Sequence, residues 1–134
     1  MAASEVTTPS HVETVRGPIP TSDLGVVFMH EHVFVLSQEI IANYPEGWGD
    51  EAVREADAVA KLNALKAIGV DTIVDPTVIG LGRYIPRIAR VAAQTELQIV
   101  VATGVYTYND VPMYFHFTGP GTALDGPETM TELF

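Results

Sequence analysis

Cysteine is absent from the 134 residues, which excludes disulfides and thiolate metal ligands. Any bound metal must therefore be held by histidine, by aspartate or glutamate, or by a lysine-derived oxygen. Lack of cysteine also fits a cytoplasmic protein. Positive charge is scarce: seven basic residues stand against seventeen acidic ones, a net charge of −10. A nucleic-acid partner is not expected, because no basic stripe is available to displace counterions. No apolar run approaches the roughly 18 residues needed to cross a bilayer, so no membrane association is expected. Residues 1–11 contain no basic stretch followed by an apolar one, so they do not form a secretory signal. They read as a disordered, polar lead-in that includes His11.

What is present belongs to a folded domain. Hydrophobic residues make up 47% and charged residues 18%, a globular balance that argues against a disordered chain. Val12 to Arg16 suggests a short strand, and Gly17-Pro18 with Thr21-Ser22-Asp23 suggests a hairpin or cap ahead of the main fold. Val26-Val27-Phe28-Met29 is apolar at successive positions, as in a parallel strand buried on both faces, and runs into His30-Glu31-His32. Ser37 to Gly49 reads as a loop. Asp50 is a suitable N-cap for a helix whose buried face would carry Val53, Ala56, Val59, Leu62, Leu65 and Ile68, with Gly69 ending it. Val70 to Val74 is a second strand closed by Asp75-Pro76. A further helix is expected from near Arg83, with Pro86 in its first turn and Ile85, Ile88 and Val91 buried. Leu97 to Ala102 is the third strand.

This strand–helix alternation predicts an α/β fold with a parallel sheet. Gly119 to Pro127 reads as a loop, and the residues from Pro127 to Phe134 as the opening turns of another helix. Three parallel strands leave both edges unpaired, a liability in a folded protein. A complete (β/α)₈ barrel takes roughly 250 residues. The expectation is therefore the first portion of a TIM barrel of about three strands, with residues 12–134 forming part of one domain truncated at Phe134. The competing expectation is a small, self-sufficient three-stranded α/β domain.

His30 and His32 are the sharpest chemical signal. Side chains at i and i+2 of a strand share a face, so both imidazoles can converge on one ion. At the carboxyl end of a parallel strand they would stand on the catalytic face of a barrel. A His-x-His alone equally describes two partly exposed polar residues at a strand end. Glu31 should point the other way, into a buried hydrogen bond or ion pair. Tyr106 and Tyr108, after the third strand, can present hydroxyls to a substrate or serve as aromatic packing with a wet tip. Asp75 before Pro76 suits a turn-forming acceptor better than an acid or base. His116, among Tyr114, Phe115 and Phe117, and His11 are not assigned to the site.

Three stretches in order resemble one known family. The run from Leu24 through His30-Glu31-His32 to Phe34 resembles the opening signature of the phosphotriesterase family of the amidohydrolase superfamily. Thr72 to Thr77 with Gly80-Leu81-Gly82-Arg83, and Thr103 to Tyr108 with Pro112 to Phe115, resemble its phosphotriesterase-like lactonase branch. The resemblance implies a (β/α)₈ hydrolase with two divalent metal ions bridged by hydroxide; zinc is expected, and cobalt, manganese or iron are acceptable. It implies hydrolysis of lactones, including acyl-homoserine lactones (quorum quenching), and slower hydrolysis of organophosphate triesters. By the same resemblance His30 and His32 are metal ligands, Tyr106 is the catalytic tyrosine, and Val35, Leu81 and Tyr108 line the substrate pocket. The family's carboxylated lysine, two further histidines and aspartate have no counterpart in these 134 residues. A homodimer is expected at full length, and an inactive protein from this chain alone. The competing reading is a catalytically dead remnant or non-enzymatic assembly partner; a third, an enzyme of the wider superfamily such as a deaminase, is opposed by the lactonase-like loop after Gly104.

Overall fold

A computed structural model of the chain describes residues 10–107 and 110–134. The main sheet has three parallel strands in the order β3 (Val27–Phe28), β4 (Thr72–Asp75) and β5 (Gln98–Val101). Thr72 pairs with Val27 on one side and with Gln98 on the other. Parallel neighbours need a crossover, and α2 (Glu51–Ala67) and α3 (Ile85–Ala92) provide the two that the sheet requires. Ahead of the sheet, β1 (His11–Thr14) and β2 (Gly17–Pro20) form the expected hairpin, with His11 opposite Pro20. His11 thus opens a paired strand and is not part of a disordered lead-in.

The core lies between the two crossover helices and the sheet. Ile73, Val91 and Leu97 are fully buried, Ile99 nearly so, and Ala58, Leu62 and Ile88 close around them. Each large aliphatic side chain removed from water contributes about 1.5–3 kcal/mol, so this cluster is the main source of stability. Helix α2 starts where expected, with the Asp50 carboxylate accepting from the Val53 amide at 3.1 Å, and it ends at Gly69 with φ +98°.

The buried face of α2 is turned relative to the sequence expectation. Val59, Leu62 and Leu65 pack inward, but Val53, Ala56 and Ile68 are exposed and Glu55 is buried. The reason lies in α3. Its Arg87 holds Glu51 through Nε at 2.6 Å, and Arg90 pairs with both Glu55 and Glu51. That ladder fixes which side of α2 faces α3.

Three further differences concern the strand and loop assignments. Val26, Phe28 and Met29 are not buried on both faces, because β3 is an edge strand with a neighbour on one side only. Residues 37–49 are not simply a loop: α1 (Gln38–Asn43) and a 3₁₀ turn at Pro45–Gly47 lie within it. Asn43 helps close α1 by donating from Nδ2 to the Glu39 carbonyl at 2.8 Å. Beyond β5 come α4 (Met113–Phe117), which was not expected, and α5 (Thr129–Leu133), which was. The Glu128 side chain caps α5 by accepting from the Met130 and Thr131 amides.

The acidic residues make stability depend on pH with a definite sign. The Arg87 hydrogen bond holds the Glu51 carboxyl below its ordinary range, the Lys66 hydrogen bond does the same for Asp71, and Thr131 does it for Glu128. A carboxyl with a lowered folded-state pKa contributes fully above the ordinary carboxylate range and loses that contribution as pH falls through the lowered value. The urea midpoint should therefore be lower at about pH 3 than at about pH 6. Equal midpoints would contradict these pairings.

Candidate metal centre

Strand β3 delivers His30 and His32 to the carboxyl-terminal edge of the sheet. Regular pairing stops at Phe28, but the chain still runs beside β4, because the Glu31 amide donates to the Val74 carbonyl at 3.0 Å. The histidines therefore follow the strand and do not sit within it. Their rings nevertheless meet edge to face, with centroids 5.2 Å apart. His30 is exposed, and the His32 side chain keeps 27% of its accessible surface. Glu31, expected to be buried, is exposed. Glu31 lies three residues beyond the end of β3, where its side chain has no covering layer to enter.

Strand β4 ends in Asp75-Pro76-Thr77 beneath this pair. Asp75 is 1% exposed and Thr77 6%, so their polar atoms must find partners within the protein. The Asp75 Oδ1 atom accepts from the Thr77 amide at 3.0 Å and also from the Thr77 hydroxyl. This is the turn-forming role expected of an aspartate before proline. The same hydroxyl oxygen lies 2.8 Å from His32 Nδ1, while Asp75 Oδ1 is 3.8 Å from that nitrogen. Sequence reasoning missed the link from Thr77 to His32, because 45 residues separate them and only strand pairing brings them together.

The loops after β4 and β5 are joined to each other. Ile79 and Val105 form a parallel bridge, and the Tyr106 amide donates to the Ile79 carbonyl at 2.8 Å. Tyr106 is 44% exposed on this loop, at the same end of the strands as the histidines. The loop after β3 is tied in through the Leu36 amide, which donates to the Leu81 carbonyl at 3.0 Å. Gly82 permits that approach: its φ is +91°, and a Cβ there would lie 2.6 Å from the Leu36 carbonyl oxygen. An open cavity of about 550 Å³ lies among these loops, lined by Leu36, Gly80, Gly82, Arg83, Pro112 and Met113 among others. Val35, which is 54% exposed, and Leu81 flank this cavity without lining it. Tyr108 lies outside the described residues.

The family assignment follows from comparison with known proteins. The sequence model of the Phosphotriesterase family matches residues 10–134. The chain belongs to the phosphotriesterase family. It is 72% identical to the phosphotriesterase homology protein of Mycobacterium tuberculosis over 123 residues, covering 92% of this chain and 38% of that protein. It is 40% identical to an aryldialkylphosphatase of Saccharolobus solfataricus over 101 residues, covering 75% of this chain and 32% of that protein. The solved structure of the phosphotriesterase from Mycobacterium tuberculosis superposes with a TM-score of 0.86 at 71% identity, over 92% of this chain and 38% of that one. The chain thus spans about a third of the length of the relatives it matches, from 32% to 38%, and its three parallel strands are part of a TIM-barrel fold.

Phosphotriesterase-family proteins are hydrolases of small esters such as organophosphates, and they generally bind divalent metals. The residues of this chain fit such a metal in part. Two imidazoles on one edge suit zinc, cobalt or iron. Among the described residues, however, no group of three or more histidine or carboxylate side chains is placed to hold an ion. Zinc sites ordinarily take three or four protein ligands, so two histidines alone fall short of one. Among the described residues no helix is long and apolar enough to cross a membrane.

Proposed function

We propose that this chain contributes the first metal-ligand pair and part of the substrate mouth to a metal-dependent lactonase. Its substrates are lactones of the acyl-homoserine type, with phosphotriesters as slower side substrates. The observation that carries this reading is the meeting of His30 and His32 at the sheet edge, within a chain that belongs to the phosphotriesterase family. The motifs after β4 and β5 support the lactonase branch.

In this reading His30 and His32 hold one of two divalent ions, with zinc as the resident metal and cobalt, manganese or iron able to replace it. A bound divalent ion supplies an acidified water and an electrophile for the carbonyl or phosphoryl oxygen. The Tyr106 hydroxyl orients the lactone ring, and Val35, Leu81 and Tyr108 bound the substrate pocket. Water adds to the lactone carbonyl carbon and the ring C–O bond breaks. The ring oxygen takes a proton, leaving a hydroxy acid. The complete enzyme works as a cytoplasmic homodimer.

The chain by itself supplies two of the required ligands and should not turn over substrate. The second reading is a remnant that is catalytically dead or only an assembly partner. A chimera separates the two. Residues 10–134 are exchanged for the matching segment of the Mycobacterium tuberculosis relative, and acyl-homoserine lactone hydrolysis is assayed with zinc or cobalt. Turnover comparable to that of the parent supports the lactonase reading. A folded, inactive chimera beside an active parent supports the remnant.

Tyr106→Phe in that chimera should lower lactone kcat/KM while leaving metal content unchanged. The ring keeps its packing and only the hydroxyl is lost, at a cost of about 1–3 kcal/mol in transition-state stabilisation. Identical kinetics would reduce Tyr106 to a packing residue.

A further inference from the structure

We infer that Thr77 is a positioning residue for His32: its hydroxyl, anchored on Asp75, accepts the Nδ1 proton and leaves Nε2 as the ligating nitrogen. The inference rests on the reading of His32 as a metal ligand, and it follows from counting protons. A threonine hydroxyl has one hydrogen to give. Two of its neighbours, the Asp75 Oδ1 atom and the Phe34 carbonyl at 3.3 Å, are pure acceptors. The hydroxyl hydrogen is therefore committed to one of them, and towards His32 Nδ1, 2.8 Å away, the oxygen can only accept. The opposite arrangement, with the hydroxyl donating to an unprotonated Nδ1, would leave the Asp75 oxygen facing the Thr77 oxygen with no hydrogen between them. At 1% and 6% exposure, neither side chain can turn to water instead. The neutral imidazole is thereby fixed with its proton on Nδ1.

An imidazole that ligates a metal through one nitrogen gains basicity and a fixed ring plane when the other donates to a carboxylate or a polar relay. Here the relay is one hydroxyl long, and strand pairing builds it: the segment that follows β3 carries His32, β4 ends on Asp75, and Thr77 lies two residues beyond it. The loop after β4 therefore sets the tautomer and ring direction of a ligand delivered by β3.

The test uses the chimera of residues 10–134 in the Mycobacterium tuberculosis relative with ¹⁵N-labelled histidine, carrying the wild-type segment, Thr77→Val or Thr77→Ser. Imidazole nitrogen shifts are recorded at about pH 8, well above the ordinary histidine range, before and during a zinc titration. In the metal-free wild type, His32 should be protonated at Nδ1 with a free Nε2. Thr77→Ser should retain that tautomer. Thr77→Val should shift the population towards the Nε2-protonated form and weaken zinc binding by about 10–100-fold. A metal-free wild type protonated at Nε2 would overturn the proposal, as would Thr77→Val binding zinc like wild type. The wild-type measurement stands even if the valine variant fails to fold. Zinc bound with the wrong tautomer refutes the positioning role alone. No zinc binding despite the Nδ1-protonated form refutes the metal reading, and the proposal with it.

Discussion

Replacing His32 by alanine in the chimera should remove metal and abolish lactone turnover together. On the proposed reading the substitution deletes one of two nitrogen ligands on the same ion, and no third histidine or carboxylate among the described residues is placed to take over. Losing a residue that hydrogen-bonds a ligand costs about 10–100-fold in metal affinity; loss of the ligand itself should exceed that. His30→Ala should behave the same way, because the two rings share one edge of the sheet. The protein should remain folded, since His30 is exposed and His32 is only partly buried. Metal analysis and circular dichroism on the same samples separate the outcomes. Full metal content in a folded His32→Ala protein would remove the ligand assignment.

The largest effect on stability is expected from Arg87→Ala. Arg87 is 6% exposed, and its guanidinium grips Glu51 through Nε at 2.6 Å and Nη2 at 3.2 Å. The same group lies 5.0 Å from the Trp48 ring centroid, 5.4 Å from that of Phe34 and 5.3 Å from that of Tyr84. Removing it strips the ion pair, three cation–π contacts and the packing of a buried stem at once. Breaking a fully buried pair costs about 3–5 kcal/mol. Glu51 is partly solvated and keeps Trp48 and Arg90 as partners, so about 2–4 kcal/mol is expected here. Arg90→Ala, at a half-exposed side chain, should cost clearly less. Urea denaturation of both variants gives the comparison, and equal losses would contradict this weighting.

How far the sequence was legible depended on the range of the interaction. The order of strands and helices was readable because apolar runs, Asp50 and Gly69 are local signals. The facing of α2 was not, since Glu55 is buried only through a partner 35 residues away on α3. Apolar Val53 and Ile68 then misled, because hydrophobicity alone does not say which side finds a neighbour. Edge exposure of Val26 and Met29 was equally illegible, since it depends on which strands are present beside β3. At the site, the His-x-His spacing told only that the two rings lie near one another, and Asp75-Pro76 marked the turn. The contact between Thr77 and His32 needed the pairing of β3 with β4, which no local pattern encodes.

The most direct test of the account is a zinc-soaked crystal of the chimera, with anomalous scattering used to locate the metal. The account predicts one ion bonded to both His30 and His32 at about 2.0–2.1 Å, with His32 bound through Nε2. Zinc sites that leave either histidine unligated in an otherwise well-ordered chimera would contradict it.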